Sequence, residues 1–217
     1  MNKKRIIIIA TAIMLVVATV GGVLVYSATV PKTEDVYDRV VELIEASYEL
    51  NTVFYGAGLP VHKTDSAYAE FSHLYFDFKY EGDYEIVTEY AKFLSEDEIK
   101  TAAEKVYSKE YLEQVLYNSA FVGYAIEDGK GGIAYATARY LEDKDWIYQS
   151  INQDNYLKGG MRIYDYSTMK VVAPSNSKVC YVSIDSYLPS NPSRILNDNL
   201  RLVLQDDGKW YLDSFAG

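Results

Sequence analysis

Apolar and polar residues alternate through Leu200, Arg201, Leu202, Val203, Leu204 and Gln205, reach Asp206-Asp207-Gly208, and resume at Lys209, Trp210, Tyr211, Leu212 and Asp213. Alternation on both sides of a short polar stretch containing glycine predicts a β-hairpin with a three-residue loop. That loop sets Leu204 opposite Trp210 and Leu202 opposite Leu212, so one face carries Leu200, Leu202, Leu204, Trp210 and Leu212. The other face carries Arg201, Val203, Gln205, Lys209, Tyr211 and Asp213. A two-residue turn would place Trp210 opposite Gln205 and mix the faces, which the buried pattern of a sheet opposes.

Helical spacing governs the other end of the chain. Val36, Val40, Ile44, Tyr48 and Asn51 recur on one face, after Thr33, Glu34 and Asp35, which suit a helix N-terminus, so residues 34–54 are expected to form an amphipathic helix. Two glycines and Pro60 then end it. Residues 61–94 carry β-like material around Gly82 without a clear period. Ser95 and Glu98 form a capping box for a helix over 96–107, and Ser108 caps a further one to about residue 117. Strands are expected over 121–127 and 133–141, with helix an alternative for the alanine-rich second segment. Residues 143–160 look like a connection. Alternation returns at 162–172 and 178–188, and 189–193 separates these from the final hairpin. Helices first and a four-stranded antiparallel meander last is an α+β order.

Residues 6–26 contain no charge and follow Lys3, Lys4 and Arg5. A run of about 20 apolar residues suffices to cross a bilayer as a helix, and the basic cluster favours a cytoplasmic N-terminus. The expected organisation is a basic tip at 1–5, a transmembrane helix or signal anchor at 6–26, a tether at 27–33 and an extracytoplasmic domain at 34–217. The alternative is a signal peptide cleaved near Ser27 or Ala28, giving a secreted product.

Charge narrows the partners. Of 21 basic residues, Lys3, Lys4, Arg5 and Lys32 precede residue 34 and no acid does, which leaves 17 basic against 31 acidic residues, a net charge of −14. Phosphate backbones would repel such a domain, so nucleic acid is excluded as a partner. The single cysteine, Cys180, excludes an intramolecular disulfide.

The order of elements, ending in Asp207-Gly-Lys-Trp-Tyr-Leu-Asp213, resembles the NTF2-like (cystatin-like) superfamily over residues 34–217, and the whole chain is similar to membrane-anchored Gram-positive bacterial proteins that carry such a domain. The resemblance implies helices packed on one strongly curved antiparallel sheet, with a cone-shaped pocket between them. It also implies a pocket mouth beside Tyr55 and His62 and a pocket wall at Trp210. Residues 61–94 exceed the compact members of that superfamily. Such a fold carries isomerases and hydrolases as well as noncatalytic modules, and does not itself fix a function.

Motifs for chemistry are sparse. His62 and His73, 11 residues apart among scattered acids, lack the spacing of a metal site. Cys180, flanked by Val179 and Tyr181 in a strand, reads as a small core residue rather than a nucleophile. Glu96-Asp97-Glu98 and Asp206-Asp207 already have helix-terminal and loop assignments. Asp185 and Asp213 are better placed for a general base, although the hairpin register turns Asp213 away from Trp210. No cofactor motif is present, no catalytic residue is assigned, and no metal is expected. Tyrosine, with 22 copies against seven phenylalanines, suits a half-wet sheet surface or a platform for a protein or glycan partner. The leading expectation is a membrane-anchored ligand- or protein-binding module without catalysis. The alternatives are a small acid-base enzyme of isomerase or hydrolase type and a structural subunit of an envelope assembly. Nothing in the sequence fixes an oligomeric state.

Overall fold

The computed structural model describes residues 30–62, 84–127, 133–136, 138–143, 145–150, 157 and 160–217. Helix α1, Thr33–Tyr55, turns Val36, Val40, Leu43, Ile44, Leu50 and Val53 inward, the 3.6-residue stripe expected of a helix lying on a core. The Asp35 carboxylate accepts the Lys32 backbone N–H at 2.8 Å. Thr33 does not cap this terminus. Its hydroxyl accepts the Val171 N–H at 3.0 Å and ties the helix to a strand.

Two short helical segments follow. Helix α2 is Glu96–Ala103, with Ser95 accepting the Glu98 N–H at 3.2 Å. The Glu98 carboxylate reaches back to the Leu94 N–H at 2.7 Å. Helix α3, Lys109–Tyr111, continues through wider π-type turns over Leu112–Leu116 and Asn118–Val122.

The described strands form three antiparallel sheets. Strands β1 (Tyr84–Ile86), β5 (Trp146–Ser150) and β4 (Tyr140–Asp143) pair in that order, and β2 (Tyr124–Glu127) pairs with β3 (Ile133–Ala136). Strands β6 (Ile163–Val172), β7 (Val179–Leu188), β8 (Asn191–Leu204) and β9 (Trp210–Leu212) form the meander. At its end Leu202 pairs with Leu212 and Leu204 with Trp210, the register expected from alternation. Cys180 pairs with Leu202, and Val182 with Leu200. These four, with Ile184 and Leu212, form one buried face that shares a core with α1. At about 25 cal/mol per Å² of apolar surface, this burial dominates what holds the helix on the sheet.

The expected transmembrane helix followed by an NTF2-like domain, with helices packed on one curved antiparallel sheet, is corrected by this arrangement. Among the described residues, strands are divided among separate sheets and helices are few. The long helix α1 is amphipathic, and among the described residues no helix is long and apolar enough to cross a membrane. The run 6–26 lies outside the described residues, as do 63–83 with His73.

Other boundaries differ for local reasons. The helical path runs to Val122 and stops at Gly123, whose φ is 70°, so the strand expected over 121–127 begins only at Tyr124. The stretch 133–141 is divided between β3 and β4. Strand β5 falls inside the expected connection 143–160. Four consecutive buried residues, Ile147 to Ser150, leave it no alternation to read.

Gly208 adopts φ 78°, and no atom lies within 4 Å of the point where a Cβ would stand, so a side chain there meets backbone strain alone. Gly208→Ala is expected to cost about 1 kcal/mol in urea denaturation, the left-handed penalty of an L-residue.

Candidate functional site

The end of α1 is fixed by contacts from several elements. Gly56 donates to the Asn51 and Thr52 carbonyls at 3.0 Å each, and Tyr140 donates its hydroxyl to the Val53 carbonyl at 2.9 Å. The last turn contains no basic residue of its own. Arg139, only 4% exposed, supplies the cation instead and donates through Nη2 to the Gly56 carbonyl, where a helix terminus favours positive charge. Beyond the turn Gln149 accepts the Leu59 N–H at 2.6 Å and donates to the Ala57 carbonyl at 3.1 Å.

From this fixed end a polar and aromatic chain runs into the molecule. The Tyr55 and Tyr111 hydroxyls are 3.0 Å apart, and the Tyr111 ring lies 5.5 Å from that of Tyr107. Tyr107 donates to Asn51 Oδ1 at 2.5 Å, while Asn51 Nδ2 donates to the Ala216 carbonyl at 2.5 Å. Ser47 donates to the same carbonyl at 3.2 Å. The Tyr55 ring meets Phe215 edge-on at 4.7 Å.

Beside this pair lies a cavity of about 510 Å³, lined by Tyr55, Leu157, Gly160, Arg162, Leu188, Phe215 and Gly217. Its volume falls in the range of small-ligand pockets. Arg162 is held at its wall: Nε donates to Ser186 Oγ at 2.6 Å and to Asp198 Oδ2 at 3.1 Å, and Nη2 donates to the Ser186 carbonyl at 2.9 Å. The cavity therefore presents aromatic and aliphatic surface with a phenol and a guanidinium already engaged by neighbours.

Burial is the main force on the phenols of Tyr55, Tyr107 and Tyr111, and it raises all three above the ordinary 10.0. A raised folded pKa means stability that is complete below pH 10 and lost as pH climbs through the folded values. In an alkaline titration, phenolate absorbance from these residues is expected to appear together with loss of the native circular dichroism.

Of the three residues expected at a pocket, Tyr55 lines this cavity. His62 lies on the strand side, its Nε2 2.8 Å from Glu89 Oε2. The Glu89 carboxyl is held below its ordinary range by its own backbone N–H and by His62. Trp210 sits near the opposite end of α1, where its carbonyl accepts Arg39 Nε at 2.9 Å. Arg39 precedes Tyr55 by 16 residues, about 24 Å along a helix axis. Trp210 and Tyr55 therefore do not form the mouth and wall of one pocket.

The remaining candidates have structural partners. Asp213, with its side chain 7% exposed, engages Arg201 and Ser108. Asp185 accepts Asn197 Nδ2 at 2.8 Å. Asp207 accepts the Lys209 N–H and the Tyr211 hydroxyl, and Glu96 accepts Lys100 Nζ at 2.9 Å. Cys180 is fully buried, and burial pushes its thiol up to about 11. Among the described residues no group of three or more histidine, cysteine or acidic side chains could hold a metal. Asn51 stands on the helical stripe visible in the sequence, whereas Arg139, Arg162 and Phe215 carry no local signal because distant segments give them their roles.

No protein-family model, no curated protein and no solved structure matches this chain.

Proposed function

We propose that this chain is a binding module held at the cell membrane by its uncharged run 6–26, with the folded part outside the cytoplasm, and that it captures part of a protein or glycan partner in the Tyr55 cavity without transforming it. The observation that carries this reading is the state of the cavity's polar groups. Tyr55 is hydrogen-bonded to Tyr111, and Arg162 to Ser186 and Asp198, so both serve as fixed walls. A general acid or base needs a titratable group aimed at the reacting atom with a pKa near the working pH, and burial moves the Tyr55 phenol away from neutrality. Aromatic rings beside hydroxyls suit a partner that is apolar at one face and wet at the other.

Two measurements test the reading. Protease added to intact cells is expected to digest residues 34–217, and in untreated cells the chain is expected in the membrane fraction; a fully protected domain would overturn the placement. A panel of oligosaccharides and peptides screened by saturation-transfer NMR is expected to yield ligands whose signals vanish in Leu188→Trp, which fills the cavity from its own wall. Ligands retained by that variant would move the site elsewhere.

A further inference from the structure

We propose that two copies of this chain associate edge to edge through the outer half of β8. The starting point is a mismatch in length: β8 runs from Asn191 to Leu204, whereas β9 pairs only with Leu202 to Leu204. Hydrogen-bond parity shows which groups the short partner leaves open. Leu204 donates to the Lys178 carbonyl on the β7 side, while Arg201 accepts the Asp213 N–H on the opposite side. Successive residues of a strand alternate in direction, so the backbone groups of Asn199, Asn197 and Ile195 point to the β9 side beyond its end, where no strand among the described residues pairs with them. Residues 191–197 are all exposed, with Ile195 at 62% and Leu196 at 40%. An exposed strand edge with apolar side chains is a template for another strand.

The sequence of the edge selects the occupant. In an antiparallel pair of two β8 strands with the twofold axis at Leu196, Leu196 meets its own copy. Arg194 of each chain then stands opposite Asp198 of the other, twice. Ile195 and Asn197 fall opposite one another as two hydrogen-bonded pairs. A twofold at Ile195 would set Arg194 against Leu196, and one at Asn197 would set Leu196 against Asp198, so a single register matches charge to charge and apolar to apolar. Asp198 keeps Arg162 at 3.1 Å within its own chain, yet its side chain remains 27% exposed and open to a second cation. Pro192 lies outside the central pairs of this register, which run from Arg194 to Asp198. The register shift between Ser186 and Leu188 sets Asn191 opposite Leu188 and Leu196 opposite Ser186, and leaves 192–195 without a paired residue on β7.

The test uses the full chain in mild detergent. Leu196→Cys is expected to form an intermolecular disulfide under mild oxidation, because directly opposed non-hydrogen-bonded residues have the Cα spacing a disulfide needs. Ile195→Cys, whose two copies are offset in this register, is expected to stay largely uncrosslinked, and buried Cys180 does not compete. Adding Asn197→Pro to Leu196→Cys is expected to abolish the crosslink, whereas adding Asn197→Ala, which loses the same side-chain bonds to Ser183 and Asp185 but keeps the outward N–H, is expected to retain it. Light scattering should report twice the monomer mass for the unmodified chain. A monomer at every concentration, equal crosslinking at 195 and 196, or a crosslink that survives Asn197→Pro would each overturn the proposal, the first leaving the edge to a different partner.

Discussion

Asn51→Leu is expected to lower stability by about 3 kcal/mol, because the buried Tyr107 hydroxyl is left without its acceptor, at about 1–3 kcal/mol, and the Ala216 carbonyl, which keeps Ser47, loses one hydrogen bond of about 1 kcal/mol. Asn51 is fully buried and donates to the Ala216 carbonyl while accepting the Tyr107 hydroxyl. Leucine fills similar space but offers neither group. In a chain of this size the loss corresponds to a fall of about 6–12 °C in melting temperature. Tyr107→Phe removes the orphaned hydroxyl, so the double variant Asn51→Leu/Tyr107→Phe should be more stable than the sum of the two single losses implies, by about 1 kcal/mol. Simple additivity in thermal or urea unfolding would show that the two side chains are not coupled.

Leu202→Ala is expected to cost about 3–4 kcal/mol, the range for truncating a leucine in a packed core that does not collapse around the gap. Leu202 is fully buried between Cys180 and Leu212 on the face that receives α1. Its neighbour Val203 points to the other face and is half-buried, so Val203→Ala should cost less than about 1 kcal/mol. The contrast tests the register directly, because a slip of one residue exchanges the faces. Equal costs at the two positions would contradict the pairing of the last hairpin.

The same contrast explains why some parts of the molecule are legible in sequence. Around Gly208 the strands alternate, the loop has a fixed length and one face is buried, so local pattern and tertiary structure agree on Leu202 opposite Leu212. Helix α1 is legible for the equivalent reason at helical period, from Val36 to Asn51. Strand β5 is not, because Ile147 through Ser150 are all covered and a strand buried on both faces shows no period. The path from Lys109 to Val122 departs from expectation at its end: π-type turns extend the helix over Phe121, which reads equally well as the start of a strand. The division into separate sheets leaves no trace in any single segment, since sheet membership depends on which distant strand supplies the hydrogen bonds.

Candidate chemistry is legible to a smaller degree. Tyr55 is expected at a pocket and lines one, but its meaning comes from Tyr111 and Phe215, 56 and 160 residues away. Trp210 is expected as a pocket wall from the resemblance alone, whereas its backbone carbonyl binds Arg39 close to the far end of α1. Arg139 and Arg162 are ordinary cations in sequence. Burial at a helix terminus gives the first its role, and Ser186 with Asp198 orients the second.

The central claim is that the Tyr55 cavity holds its ligand unchanged, and it is tested most directly by incubating the protein with a ligand found in the NMR screen and recovering that ligand for mass spectrometry. Recovery at unaltered mass, with no binding to Leu188→Trp, is the expected result. Conversion of the ligand at a rate that disappears in Tyr55→Phe would contradict it and make the cavity an active site.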